Sequence, residues 1–294
     1  MQYKYDVSVI IPAYNQEHFI EETIKSVLSQ EFNGRYEVLI SDDGSIDKTW
    51  DIIQKYSTLP NIKLNKLNIN SGYWKSYNWL INNAEGKYIA YIDGDDLWYK
   101  YKLQNAFDLL EADLKCALVF SKSDVETLDG RIYRNFVNKN LSSLKITKDF
   151  LLRHRALFGN STKVFRAECK EQLVNGLRDW RTYDYWQHLR CLEYGYARVT
   201  SDQEEALYRM HGRAAGKEFD EKILRVYNEI LDEGNDYNAD INASILVSVF
   251  LKLLKRNKIR REELNILKKT VLNFSILKVF EVIFWIWSAR LRLK

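Results

Sequence analysis

Proline is nearly absent from this 294-residue chain, with 2 in all, and glycine is sparse at 12. Long flexible linkers, collagen-like repeats and extended disorder need more of one or the other, so the composition excludes them. No internal repeat or low-complexity tract is present. Cysteine is scarce too. Cys116, Cys169 and Cys191 are far apart and odd in number, which argues against a disulfide framework or a Cys-rich zinc site and points to a reducing compartment. The first residues, Met1-Gln2-Tyr3-Lys4-Tyr5-Asp6, enter a strand pattern without the charged and apolar regions of a secretory signal. A cytoplasmic protein is the expectation.

An excess of charge of one sign is also missing, since the net charge is +4. Its distribution is uneven. Residues 251–294 carry 12 Lys/Arg against 3 Glu, a net +9, which leaves −5 on residues 1–250. A basic tail on a slightly acidic body does not fit a nucleic-acid binder, whose basic patch lies on the folded domain. It suits attraction to an anionic surface. What the chain has in quantity is apolar and aromatic residues: 46% hydrophobic, with 19 Tyr and 8 Trp. That is enough for one large core or two smaller ones. The rings suit stacking on bases or sugars, and packing equally well.

The first third alternates strand and helix patterns. Residues 7–11 (Val-Ser-Val-Ile-Ile) read as a buried strand, and residues 17–30 place Ile20, Ile24, Val27 and Leu28 on one helical face. Strands are expected at 36–41, 62–67 and 88–92, with helices at 47–56 and 72–84. Such alternation implies an α/β fold with a mainly parallel sheet covered on both faces. Further on, a strand is expected at 116–121, with an Asp129-Gly130 hairpin turn to 131–136. A strand at 162–166 precedes a helix from about Ala167. A helix at 184–194 stops at Gly195. Short strands follow at 196–200 and 206–209, and from about Lys217 the pattern is helical.

Ligands of open α/β sheets bind beyond the carboxyl ends of the strands, and three chemistry-bearing segments lie there. Asp93-Gly94-Asp95 closes the run Lys87–Ile92. Residues two apart in a strand share a face, so the two carboxylates are expected to converge and to suit a hard divalent cation such as Mg²⁺ or Mn²⁺. The glycine would let a ligand approach the backbone. Alone, the tripeptide reads first as turn chemistry. Asp42-Asp43-Gly44-Ser45 offers a carboxylate to a base N–H or to ribose hydroxyls, or else an N-cap for the next helix. Pro12-Ala13-Tyr14-Asn15 offers a ring for stacking. The three together are much harder to dismiss than any one.

Residues 7–15 (VSVIIPAYN), 41–45 (SDDGS), 86–97 (GKYIAYIDGDDL) and 183–195 (YDYWQHLRCLEYG) resemble, in order and spacing, the family 2 glycosyltransferases of the GT-A fold, over roughly residues 5–212. The resemblance implies a GT-A catalytic domain over residues 1–215 with a helical region over 216–294. It also implies inverting transfer of a sugar from a nucleotide diphosphate donor, UDP-linked by expectation, to an acceptor hydroxyl. Tyr14 and Asp43 would hold the base, Asp93 the ribose, and Asp95 a Mn²⁺ or Mg²⁺ ion bridging the diphosphate. Pro12, Ala13, Asn15, Glu17, Lys75, Tyr77 and Gly94 complete the expected donor set. His211, in a Tyr-Arg-x-His element, would join the metal or diphosphate. Asp184 is the candidate catalytic base, and an N-cap Asp is the alternative at that position. A carboxylate at its ordinary pKa of about 3.9 is ionised at neutral pH and able to take the acceptor proton.

The chain departs from the family pattern at two positions. Tyr77 stands where the family often has Arg, with Lys75 or Tyr77 itself as the expected compensation, and Tyr183 stands where it usually has Glu. The processive element Gln-x-x-Arg-Trp is absent, so one sugar per encounter is expected. Residues 276–287 (ILKVFEVIFWIW), interrupted by Lys278 and Glu281, are shorter than the ~20 apolar residues of a spanning helix. Trp285 and Trp287 beside arginines suit a membrane interface, and packing on the catalytic domain or a second subunit suits them equally. The resemblance favours a polyisoprenoid-linked or other glycan acceptor of bacterial surface polysaccharide and peripheral contact with the inner face of the plasma membrane. A sugar nucleotidyltransferase would carry a Gly-rich basic loop after the first strand, and residues 12–17 are neither. Retention of Asp93, Asp95 and Asp184 weighs against a noncatalytic binding module.

Overall fold

The computed structural model describes residues 3–134, 141–154, 158–174 and 183–210. These fall in two compact units. The first takes in those within Met1–Ile146, Phe158–Trp180 and Gln187–Ala214, and the second those within Thr147–Leu157, Arg181–Trp186 and Ala215–Lys294.

The first unit is built on one sheet with strand order β3-β2-β1-β4-β8-β6-β9-β5, with β7 beside β6. Its parallel part comprises β1 (Tyr5–Ala13), β2 (Tyr36–Asp42), β3 (Ile62–Lys66) and β4 (Gly86–Tyr91). These are the four strands expected from the apolar runs. From β4 outward the sheet turns mixed. The strands there are β5 (Leu97–Trp98), β6 (Cys116–Glu126), β7 (Ile132–Arg134), β8 (Val164–Arg166) and β9 (Tyr196–Arg209). β8 runs antiparallel to both β4 and β6, and β5 runs antiparallel to β9. β9 is a single strand where two short ones were expected. It stays paired with β6 through register shifts between Phe120 and Ser123, so its polar middle did not interrupt it. The Asp129-Gly130 turn forms as read, with Gly130 at φ +76° and Thr127 N donating to Arg131 O at 2.9 Å.

Both faces of the parallel sheet are covered, and β1 is buried from Val7 on: Val9, Ile10 and Ile11 are fully buried, as is Ser8, whose hydroxyl donates to Glu37 Oε1 at 2.6 Å. Burying each such apolar side chain contributes about 1.5–3 kcal/mol. On one face, α1 (Ile20–Leu28) and the helix at Lys102–Ala112 insert Ile20, Ile24, Val27, Leu103 and Leu110 among Val9, Ile11, Val38, Ile40 and Ala90. α2 (Thr49–Ile53) follows β2. On the other face lies α3 (Tyr73–Asn83), whose Ser76 Oγ is 3.1 Å from Ser41 Oγ and whose Tyr77 ring packs on Tyr91. With Lys102–Ala112 as α4, the remaining helices are α5 (Lys148–His154), α6 (Lys170–Val174) and α7 (Tyr183–Cys191). Within the second unit, Tyr185 Oη donates to Leu151 O at 2.9 Å, joining the start of α7 to α5. Among the described residues no helix is long and apolar enough to cross a membrane.

α1 begins at Ile20, three residues later than its apolar pattern suggested. The reason lies in the neighbouring loop. Asn15 N donates to Ser45 Oγ at 2.9 Å, Gln16 N to Thr49 Oγ1 at 2.7 Å and Glu17 N to Asp47 Oδ2 at 3.1 Å. These contacts pin residues 15–17 against the β2–α2 loop and the start of α2, and Phe19 N and Ile20 N both donate to Gln16 O at 2.9 Å, so a turn precedes the helix. Residues 211–294, including His211 and the apolar segment 276–287, lie outside the described residues.

Candidate functional site at the carboxyl edge of the sheet

β1 is followed by a connection to β2 on one side, while β4 arrives on its other side. The chain therefore diverges at the carboxyl ends of β1 and β4, where an open α/β sheet forms its ligand crevice. A cleft of about 450 Å³ opens there, lined by Pro12, Ala13, Tyr14, Gln16, Asp43, Asn70, Gly72, Tyr73, Ser76 and Asp93. Its size is that of a small-molecule pocket. Every lining residue belongs to the first unit, coming from the end of β1, the loops that follow β1, β2, β3 and β4, or, for Tyr73 and Ser76, the first turn of α3.

Each wall has its own cause. Asn15 adopts φ +51° and its Oδ1 accepts from Ile46 N at 3.0 Å. This leaves the preceding Tyr14 ring 37% exposed on the cleft. Asp42 is fully buried and closes the next loop by accepting from Ser45 N at 3.2 Å and from Ser45 Oγ. Asp43 instead lines the cleft and braces the β3–α3 loop, with Oδ1 accepting from Ser71 N at 2.9 Å. Burial raises the Asp43 pKa above the usual carboxylate value, and hydrogen bonds from Ser71 and Gly72 N–H oppose that shift, as does the charge of Lys75. Gly44, at φ +69°, lets the two loops touch: a Cβ there would meet Asn70 N at 2.6 Å.

The third wall is the Asp93 turn. Strand geometry ends at Tyr91, and Asp96 N donates to Asp93 O at 3.1 Å. A turn, rather than strand alternation, therefore sets the relation of Asp93 to Asp95, which corrects the expectation from two-residue spacing. The spacing rule applies one step earlier, to Tyr91 and Asp93, where Tyr91 Oη donates to Asp93 Oδ1 at 2.5 Å. Asp93 N donates to Ser161 Oγ at 2.9 Å. Asp96 is buried beneath the turn, held by Ser161 Oγ and by Arg209 N at 3.0 Å, and burial pushes its pKa well up. The room left by Gly94 is taken by the protein itself. A Cβ there would meet Pro12 O at 3.1 Å and collide with Gln16 Oε1.

The structure thus gathers Pro12, Ala13, Tyr14, Asp43 and Asp93 on one cleft. Gly94 packs behind it, and half-buried Asp95 follows in the turn, its O accepting from Arg209 Nη1 at 3.5 Å. Asn15 and Glu17 tie loops together, Glu17 Oε2 accepting from Lys48 N at 3.0 Å. Lys75 is exposed and acts on Asp43 through its charge. Tyr77 is fully buried and stacks behind Tyr73 at 5.6 Å between ring centroids. Asp184 lies in the second unit, exposed in the first turn of α7. Residue reading missed Gln16, Asn70, Gly72, Tyr73 and Ser76 as cleft-lining. The Asn70-Ser71-Gly72 step, with Gly72 at φ +87°, was the available signal.

Among the described residues no group of three or more His, Cys, Asp or Glu side chains is arranged to hold a metal ion. Asp93 and Asp95 still fit the way Mg²⁺ and Mn²⁺ bind substrate phosphates, through one or two carboxylates with phosphate and water oxygens completing the shell.

Parallel βαβ units with an aromatic ring and two carboxylates at the switch point, continued by an antiparallel extension, define the GT-A class of nucleotide-sugar transferases. Residues 8–169 match the glycosyl transferase family 2, and the chain belongs to that family. It is 30% identical over 205 residues to TuaG of Bacillus subtilis, a glycosyltransferase named for teichuronic acid biosynthesis, covering 69% of this chain and 79% of that protein. It is 39% identical over 107 residues to the Escherichia coli UDP-Glc:α-D-GlcNAc-diphosphoundecaprenol β-1,3-glucosyltransferase WfaP, covering 36% of this chain but only 42% of WfaP. The crystal structure of residues 1–349 of Staphylococcus aureus TarS with UDP-GlcNAc shares the fold, with TM-score 0.64 at 22% identity, covering 82% of this chain and 71% of that one.

Proposed function

We propose that this glycosyltransferase moves one sugar per encounter, with inversion, from a UDP-sugar to a hydroxyl of a lipid-linked glycan in bacterial surface polysaccharide synthesis. The observation that carries the donor half is the cleft itself, in which Tyr14, Asp43 and Asp93 come from three different loops onto one pocket. The Tyr14 ring stacks on the base, and Asp43 accepts from its N–H. Asp93 meets the ribose and, with Asp95, the diphosphate end. WfaP's name pairs a UDP donor with a diphosphoundecaprenol acceptor, and TarS was crystallised with UDP-GlcNAc; both favour UDP over other nucleotides.

Asp93 and Asp95 would hold a Mn²⁺ or Mg²⁺ ion. Such an ion supplies charge neutralisation for a departing diphosphate. Asp184 takes the acceptor proton as the acceptor oxygen attacks the anomeric carbon, so nucleophile and leaving group sit on opposite faces and configuration inverts. Incubation with a panel of UDP-, GDP- and ADP-sugars, read as released nucleoside diphosphate, tests the donor class. Release confined to UDP-sugars is expected. Release from GDP- or ADP-sugars alone overturns it.

The acceptor's lipid would bring the enzyme to the inner face of the plasma membrane as a peripheral protein. The net +9 on residues 251–294 and Trp285 and Trp287 support this, since basic residues near an anionic leaflet contribute about 1 kcal/mol each. Flotation with anionic vesicles is expected to carry the full chain, to lose most of it at high salt, and to weaken when residues 274–294, with Trp285, Trp287 and +3 of the net charge, are deleted. Equal flotation of both forms removes the tail from membrane docking.

A further inference from the structure

Asp93 is set among hydroxyl groups. Tyr91 Oη donates to its Oδ1 at 2.5 Å, and Ser161 Oγ lies 3.3 Å from its Oδ2. Tyr91 is fully buried, and its oxygen also accepts the hydroxyl proton of Tyr73 at 2.9 Å. A phenol has one proton to give. Because Tyr73 donates to Tyr91, the proton of Tyr91 is directed onto Asp93, and the three groups form a one-way chain from the cleft wall to the carboxylate. Below the chain, the ammonium of Lys163, itself only 1% exposed, lies 4.4 Å from the centre of the Tyr91 ring and bonds Gln187 Oε1. A cation over the ring draws electron density from the phenol and strengthens its O–H as a donor.

A carboxylate's terminal torsion is broad and roughly two-fold, so an Asp beyond the last residue of its strand has little to fix its plane. The Tyr91 hydroxyl does that here at Oδ1, while the single proton of Ser161 goes to the nearer Asp96 Oδ2 and its oxygen accepts from Asp93 N at 2.9 Å. We infer that Tyr91 is a positioning residue of the donor site, which, with Tyr73 behind it, orients the Asp93 carboxylate toward the nucleotide diphosphate and its divalent ion. This rests on the reading of Asp93 as a donor-site carboxylate. It also accounts for a hydroxyl-bearing ring at the carboxyl end of β4, and it gives the departure from the family pattern at Tyr77 a different compensation from Lys75. Tyr77 serves as the buried stacking partner of Tyr73 and Tyr91.

The test is calorimetric titration of UDP into the full chain, with Mn²⁺ and with chelator, for the wild type and for Tyr91→Phe, Tyr73→Phe and Asp93→Asn. Phenylalanine keeps the ring contacts with Tyr77 and Lys163 and removes only the hydroxyl. Partners that orient a metal-binding group are typically worth 10–100-fold. Tyr91→Phe is therefore expected to lose about tenfold of the Mn²⁺-dependent gain in UDP affinity while metal-free affinity stays within about twofold. Tyr73→Phe, one step further back, is expected to lose about threefold in the same selective way, and it stands in if Tyr91→Phe does not fold. Loss of the gain in Asp93→Asn with the full wild-type gain in both tyrosine variants overturns the inference. So does equal weakening with and without Mn²⁺, which would make the hydroxyls part of the cleft's shape. A full Mn²⁺ gain in Asp93→Asn overturns the reading of Asp93 itself.

Discussion

Asp95→Asn is expected to abolish the Mn²⁺-dependent part of UDP binding while leaving metal-free affinity close to wild type. An amide keeps the size of the side chain and loses the charge, and with only Asp93 remaining the protein offers one anionic ligand to a hard divalent ion. Groups that merely orient a ligand cost 10–100-fold when removed, so loss of a ligand itself should cost roughly 100-fold or more. The local backbone should survive the change. Arg209 Nη1 reaches Asp95 through its carbonyl oxygen, and the Arg209 side chain is anchored on Glu126 at 3.2 Å and on Glu22. Asp96, which bonds Arg209 N, is untouched. Calorimetric titration of UDP with and without Mn²⁺ measures the effect. A variant that keeps the full metal enhancement makes Asp95 a turn residue and removes it from the site.

The parallel part of the fold was legible because strands buried on both faces are written as near-continuous apolar runs, with single polar interruptions at Ser8, Glu37 and Lys87. β1, β2 and β4 are such runs, and their ends fell within two residues of expectation. The start of α1 was less legible, since residues 15–17 are pinned to a loop 30 residues away in sequence, a tertiary contact that local periodicity does not register. β5 has two residues and exists only because β9 passes beside it, with Leu97 opposite Leu207. Nothing local signals it. At the site, the carboxylates and the Tyr14 ring were visible as polar and aromatic residues following strands. Tyr91 was not, because a tyrosine inside an apolar strand reads as core. Its buried ring is core, but its hydroxyl points along the strand to Asp93. Tyr73 and Ser161 were hidden for another reason: they come from a helix start and a short helical turn whose approach to the Asp93 turn is purely tertiary.

Asp184→Asn is expected to lower turnover onto an acceptor by about 10²–10⁴ while UDP-sugar affinity stays within a few fold. A general base acts only as the acceptor proton departs, so its removal appears in kcat rather than in donor binding. The motive is the match of Tyr183-Asp184 to the family's Glu-Asp element, at an exposed position in the first turn of α7. The competing role is structural. Asp184 lies in the first turn of α7, where a negative charge stabilises the helix dipole by about 0.3–1 kcal/mol. The two roles leave different marks. A base gives a collapsed kcat with an unchanged melting temperature and an unchanged Kd for the donor. A helix-capping charge gives a melting temperature lower by a few degrees and near-normal turnover. Single-turnover assay with a saturating UDP-sugar, alongside thermal melts of both proteins, separates them. Near-normal turnover in a folded Asp184→Asn protein would assign the catalytic base to another residue.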